Sequence, residues 1–530
     1  MRVLLINPYY PISETPSPPL GLAFLAAALE TAGVEVKILD LVVYPYSRQL
    51  LESLLKDFKP QMVGITAVTM TFDNAIRVIR DIRRLDAQIL TVMGGPHVTF
   101  CAPDTLKDYP ELDVVVLGEG EKTVVELAQA ADHRHRWHDV NGIAFRQDSE
   151  IRNTAARDLV QDLDTLPAPA RHLLALGRYR ALGMPISMTT SRGCPFKCIF
   201  CVGRKMVGAR VRYRNPVNVV DEMEYLNTLN FNQINIADDL FTANKKHCQS
   251  VCDEILKRGL RIKWTSFARV DTVSEEMLMR MKAAGCTAVS FGIESANSDI
   301  LKTIKKGITL HQVVNAVQAC NRAGIIPHAS FILGLPGETP QTIKETMDFG
   351  EQLKKSGLSY GFHLLAPFPG TEVREKSRDY GIHILTNDWS QYHANSAIVE
   401  TPAVNRHMLD EIAADWQNKY NGYLEDIKQR MQKGQATADE IWEVTNLERI
   451  VLTYDLMMQN VVEEKGGWRT DKNPLSETDL LKTLVNKIKD SVASRPEDLH
   501  STLQYAVEQG YLAASVEGER VRWRWVDYMD

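Results

Sequence analysis

Cysteine is scarce in this chain, positive charge is not in excess, and no apolar run is long. Eight cysteines in 530 residues cannot form the dense disulfide framework of a short secreted domain, and free thiols in a chain this long fit a reducing, cytoplasmic setting. Sixty-one Lys and Arg stand against 67 Asp and Glu, a net charge of −6. That balance lacks the overall basic excess of a nucleic-acid binder, so no nucleic-acid partner is expected. The longest apolar stretch, Leu20–Leu29, is well short of the roughly 20 residues of a membrane span. No transmembrane segment is expected, although a peripheral contact with a membrane for a greasy substrate stays open. The opening run Met1–Pro8 reads as a strand entering a loop, without the features of a signal peptide. What remains is ordinary globular composition, 44% hydrophobic and 24% charged, with length for about three domains.

Three of the few cysteines are concentrated. Cys194, Cys198 and Cys201 form a C-x3-C-x2-C run, and the next cysteine is Cys248. Thiolates so close converge on one soft metal centre. A zinc knuckle would need a second ligand pair at short spacing, and none follows. A bacterial ferredoxin would place a fourth cysteine three residues on, where Val202-Gly203-Arg204-Lys205 stands. Three thiolates on a four-iron cubane leave one iron open. This segment closely resembles the radical S-adenosylmethionine enzymes. The resemblance implies a [4Fe-4S] cluster whose open iron chelates S-adenosylmethionine. It also implies release of a 5'-deoxyadenosyl radical and a low-potential electron donor, flavodoxin or ferredoxin.

Residues 1–135 alternate short β-branched runs with amphipathic stretches, the pattern of a doubly wound, flavodoxin-like α/β sheet. Ligands of such sheets sit at the carboxyl ends of strands. The loops there carry Asn7, then Thr66 to Thr71 including Thr69, then Gly94, Gly95 and His97, then Gly118, Glu119 and Gly120. Ahead of a radical cluster motif, this set resembles the cobalamin-binding domain of one large class of radical enzymes, which implies cobalamin as a further cofactor. The Asp-x-His-x-x-Gly signature that supplies a histidine to cobalt is absent from all thirteen histidines. His97 is expected to hydrogen-bond corrin side chains or its own turn, and Cys101, in the same loop, to be a buried inert thiol. Residues 136–185 lose the sheet's rhythm and read as a linker.

Residues 186–371 read as six strand–helix units, a partial (β/α)6 barrel with its site at the C-terminal strand ends. The cluster loop follows the first strand. Asp238, Arg269, Glu294, Ser295 and the turn Gly334-Leu335-Pro336 lie at other strand ends. The resemblance implies that these, with Phe200 of the cluster loop, hold S-adenosylmethionine. Each also has a structural reading: Asp238 as a helix cap, Arg269 as a rim salt bridge, the turn as a loop that Thr339 caps. Cys248, Cys252, Cys286 and Cys320 read as core thiols.

Residues 372–530 read as a mainly helical domain that covers the barrel and shapes the substrate pocket, with a winged-helix-like end. Trp389, Tyr392 and His393 could line that pocket or pack in a core. The layout resembles cobalamin-dependent radical methyltransferases and the anaerobic magnesium-protoporphyrin monomethyl ester cyclase. It implies methyl transfer from methylcobalamin after hydrogen abstraction from an unactivated carbon. The alternatives are an oxidative cyclisation or other radical rearrangement without methyl transfer and, more remotely, a cobalamin- or redox-sensing regulator. The expected substrate is a small molecule or a lipid-like, tetrapyrrole or peptide compound.

Overall fold

The computed structural model describes residues 1–11, 15–148, 150–470 and 476–528. The first sheet contains β1 (Arg2–Asn7), β2 (Glu35–Asp40), β3 (Met62–Thr66), β4 (Leu90–Gly94), β5 (Val114–Val116), β6 (Ile143–Gln147) and β7 (Glu150–Asn153). Their order is β2-β1-β3-β4-β5-β6-β7. The first five strands are parallel, with helices such as Leu20–Thr31 and Phe72–Leu85 between them. Helices cover both faces, so the central strands are buried on both sides and read as continuous apolar runs. β6 and β7 join antiparallel and extend this sheet into residues whose sequence reads as linker. Only two residues separate β6 from β7, since an antiparallel pair needs no crossover helix, so the strand–helix rhythm that marks the rest of the sheet ends with the helix Glu121–Gln129.

The second sheet is built from β8 (Ile186–Met188), β11 (Ile234–Ile236), β12 (Trp264–Ala268), β13 (Cys286–Glu294), β14 (Ile326–Leu333) and β15 (Ser359–Leu364). It runs β15-β14-β13-β12-β11-β8, parallel throughout. Six parallel strands in this order form the expected open barrel. A two-residue strand β9 (Ser191–Arg192) pairs antiparallel with β10 (Arg212–Tyr213), so the cysteine run is carried on a hairpin. Thr339 does cap its helix, in a capping box with Thr342. Cys248, Cys252, Cys286 and Cys320 all lie buried in the barrel's core.

Beyond the barrel, β16 (His383–Ile384) pairs with β17 (Val399–Glu400). Two long helices follow, Arg406–Gln432 and Ala438–Met458. The chain ends in a three-stranded sheet of β18 (Gly467–Arg469), β19 (Leu512–Glu517) and β20 (Arg520–Trp525), in the order β18-β20-β19. β18 adds a third strand to the β19–β20 hairpin at the end that reads as winged-helix-like. The core of this end unit includes Val42, Val43 and Tyr179, so it docks on the rim of the first domain. Buried Arg178 pins it there, reaching Asp527 at 2.5 Å, Glu463 at 2.6 Å and the Val43 carbonyl at 3.0 Å. Among the described residues, no helix is long and apolar enough to cross a membrane.

Candidate active site between the two sheets

The C-terminal strand ends of both sheets open onto one cavity of about 390 Å³. Thr66, Gly94, Gly95, Gly118 and Gly120 line it from the first domain; Thr189, Ser191, Arg192, Met206 and Asp239 line it from the barrel. Two glycines are required by geometry. Gly95 has φ +106°, and a Cβ there would sit 2.6 Å from the Ala67 carbonyl oxygen. Gly118 has φ +69° with nothing within 4 Å of its missing Cβ. Its backbone therefore fronts open space that a flat, bulky ligand could approach closely.

The cluster hairpin stands on the opposite wall. The Cys194 N–H donates to the Gly208 carbonyl at 3.1 Å, and the Gly203 N–H donates to Cys201 Sγ at 3.3 Å. Cys198 Sγ lies 3.9 Å from the Lys305 carbonyl oxygen. Cys201 is exposed and the other two are half-buried. Burial pushes the Cys194 and Cys198 thiols up, while Arg269 and Lys306 pull them the other way. Metal ligation must therefore displace protons from them. Among the described residues, no trio of His, Cys, Asp or Glu is gathered tightly enough for a single metal ion. A cubane asks for a different arrangement, since each thiolate takes a different iron, and this short loop of three cysteines fits that donor set.

The comparisons agree with this geometry. Residues 13–128 match the B12 binding domain, and residues 188–350 match the radical SAM superfamily. An uncharacterized methyltransferase of Pyrococcus horikoshii is 36% identical over 400 residues, 74% of this chain and 86% of that protein. The anaerobic magnesium-protoporphyrin IX monomethyl ester cyclase of Rubrivivax gelatinosus is 30% identical over 434 residues, covering 78% and 77%. The chain belongs to the B12-binding radical S-adenosylmethionine enzymes. Its fold matches that of OxsB, a cobalamin-dependent radical enzyme solved with aqua-cobalamin and S-adenosylmethionine. The TM-score is 0.68 at 19% identity, over 98% of this chain and 82% of that one.

Within this B12-binding radical enzyme the expected site residues divide. Thr66, Gly94, Gly95, Gly118, Glu119 and Gly120 line the cavity. Asn7 does not; its amide donates to Asp40 at 2.8 Å. Burial raises the Asp40 carboxyl to about 6 despite hydrogen bonds from Tyr179, Asn7 and the Val42 N–H. Thr69 and His97 also turn away. They bond each other at 3.2 Å, and the His97 ring lies 4.3 Å from Phe72 and 4.8 Å from Trp389. Burial lowers His97 to about 4, aided by Arg374, so it is neutral. Trp389 therefore packs on the first domain's loop, at the seam. Cys101 Sγ donates to the His97 carbonyl at 3.0 Å, which leaves it a bonded structural thiol.

Glu119 lines the cavity, but its carboxylate is committed to the seam. Arg212 reaches it at 2.7 and 3.0 Å, Arg192 at 3.3 Å and the Val160 N–H at 3.0 Å. Burial would raise this carboxyl, yet these partners hold it below the usual range. Asp238 is likewise internal: it accepts from the Thr190 N–H and hydroxyl at 2.6 Å each and from the Ser191 hydroxyl at 2.7 Å. Its neighbour Asp239 is the one that faces the cavity, with Oδ2 accepting from the Gly193 N–H at 3.1 Å. Adjacent acids on a strand end point opposite ways, and the sequence does not say which way.

The barrel-end residues form a chain of contacts beneath the cluster loop. Arg269 clamps Asp271 at 2.9 Å through two bonds and donates to the Lys306 carbonyl at 2.7 Å. Its guanidinium stacks 3.5 Å from the centroid of Phe196, inside the cysteine run. Glu294, at φ +70°, pairs with Lys306 at 2.7 Å, both nearly fully buried. The Lys306 ammonium lies 6.0 Å from the Phe200 ring. Lys306 escaped the sequence reading because Lys305-Lys306-Gly307 looks like solvated surface. Ser295 is fully buried beside Thr346. Gly334, Leu335 and Pro336 are buried, and their turn is riveted by Glu338, which accepts from the Gly334 and Leu335 N–H groups at 2.7 and 3.0 Å.

Proposed function

We propose that this enzyme transfers a methyl group to an unactivated carbon of a small-molecule substrate bound in the cavity between its two sheets. The carrying observation is that one cavity is walled on one side by the glycine loops of the B12-binding domain and on the other by Ser191, Arg192 and Met206, which flank the cysteine run. Bound there, the cluster with S-adenosylmethionine supplies radical hydrogen abstraction, and cobalamin supplies the methyl carrier. Cys194, Cys198 and Cys201 are the residues that would hold the cluster. Glu294 and Lys306 form a preformed pair of opposite charges that would face the amino and carboxylate groups of S-adenosylmethionine. Arg269 positions the cysteine loop through Phe196. Gly94, Gly95, Gly118 and Gly120 leave stretches of bare backbone on the opposite wall. A low-potential protein donor would supply the electron. The Pyrococcus relative supports methyl transfer, and the Rubrivivax relative supports the second reading, an oxidative cyclisation without it.

Anaerobic reconstitution with iron, sulfide and cobalamin, then incubation with S-adenosylmethionine and a strong reductant, tests the class. Formation of 5'-deoxyadenosine is expected, with loss in Cys198→Ala; continued formation in that variant overturns the cluster assignment. With methyl-labelled S-adenosylmethionine and the small-molecule fraction of host cells, label is expected in a new product. An oxidised, unlabelled product overturns methyl transfer in favour of the cyclase reading.

A further inference from the structure

β20 is the central strand of the C-terminal sheet. Its inward residues Val521, Trp523 and Trp525 are buried, and the alternating Arg520, Arg522 and Arg524 are all exposed. On β18, exposed Arg469 stands directly opposite Arg520, and cross-strand partners share a face. Four guanidinium groups thus stud one open face. Among the described residues none of the four enters an ion pair, whereas buried Arg171, Arg178 and Arg212 are all paired. Like charges directly opposite each other destabilise a ladder, so the Arg469–Arg520 pair, which no ion pair relieves among the described residues, favours an added anion. The carboxylate on this face, Glu517, is opposite Arg520 and makes no salt bridge with it. The other neighbours on β19, Ala513 and Ser515, are small.

We propose that this face binds the sugar-phosphate backbone of a nucleic acid. Alternate residues of a strand advance about 6.7 Å, a step comparable to that between successive phosphates of one strand. Arginine, unlike lysine, grips phosphate oxygens in a fork. Among the described residues the face carries no exposed aromatic for stacking bases, so binding is to the backbone and independent of sequence. It also lacks the apolar side chains that a lipid surface or a stable protein interface would engage. The net charge of −6 does not oppose this, since screening limits each charge to about 8 Å at physiological salt.

Fluorescence anisotropy of labelled RNA and DNA oligonucleotides with the full-length protein, across salt concentrations, tests it. Expected is a Kd on the order of 1–100 μM at physiological salt, with log K falling against log salt at a slope of about −3 for four phosphate contacts. Arg522→Glu with Arg524→Glu should weaken binding more than tenfold. Arg522→Lys with Arg524→Lys should retain most of it, and both variants should keep the wild-type melting temperature and 5'-deoxyadenosine formation. Three results would overturn the proposal: no binding at low salt, binding unmoved by the charge reversal, or capture by phosphatidylserine vesicles or by a second copy of the chain in place of oligonucleotides.

Discussion

Replacing Glu338 with glutamine should flatten the pH dependence of this protein's stability. The Glu338 side chain is buried; one oxygen takes the Gly334 and Leu335 N–H groups, and the other is buried with no partner. Burial pushes its carboxyl from 4.5 to about 8, against the pull of those two N–H groups. The folded state therefore keeps a proton that the unfolded chain releases. Because the folded value is the higher one, this contribution is fully present below 4.5 and is lost as pH rises towards 8. The slope is about 1.4 kcal/mol per pH unit, with an upper bound on the order of 4–5 kcal/mol across the window. Glutamine can still accept both N–H groups through its carbonyl and has no proton to lose. Urea unfolding followed by tryptophan fluorescence, between about pH 5 and 9, should show wild type losing stability relative to Glu338→Gln as pH rises. Parallel curves for the two proteins would refute the reasoning, because they would mean that Glu338 is already ionised in the fold.

Other expectations follow from the same contacts. Lys306→Met strands the Glu294 carboxylate in the barrel and should cost about 3–5 kcal/mol, measured by denaturation. Adding Glu294→Gln should restore stability without restoring S-adenosylmethionine binding, measured by equilibrium dialysis of the reconstituted enzyme. Gly370→Ala puts a Cβ into the Phe100 ring at φ +82° and should loosen the seam between the domains, detected as faster proteolysis. Phe100→Ala in the same chain should partly rescue it. His97 is held neutral in the fold, so stability should fall as pH drops from 6.5 towards about 4, by up to about 3 kcal/mol; His97→Phe should remove that loss. Because His97 faces Trp389 and not the cavity, this variant should also leave the absorption spectrum of bound cobalamin unchanged.

The architecture was legible because five strands of the first sheet and all six of the second are parallel, and parallel strands joined by helices leave a strong alternating pattern in sequence. The same rule explains what was not legible. β6, β7 and β18 pair antiparallel, outside the parallel strand–helix repeat. The cysteine run stands out in the sequence because its thiols sit within eight residues, whereas the short β9–β10 pairing that carries it does not. The rest of the site depends on side-chain direction at strand ends, which a bulge or a positive φ can reverse. Asp238 and Asp239 are adjacent, yet one is locked inward and the other faces the cavity. His97 sits in a loop whose glycines line the cavity, yet its ring packs against Trp389, nearly 300 positions on in the chain.

These reversals share a physical cause. Two strand-end surfaces meeting across a seam must pair the charges they bury, because an unpaired buried charge is far costlier than a hydrogen-bonded one. Glu119 and Glu121 therefore answer Arg192 and Arg212 across the seam, and Arg192 lies two residues before Cys194. The same ion pairs that hold the B12-binding domain against the barrel thus anchor the start of the cysteine run. The first domain is left to contribute mainly shape, through Gly95 and Gly118, while the barrel buries a carboxylate and an ammonium, Glu294 and Lys306, that neutralise each other. Breaking Arg192 from Glu121 should accordingly disturb two measurements together, domain docking and cluster loading. A loss of either one alone would separate the seam from the site.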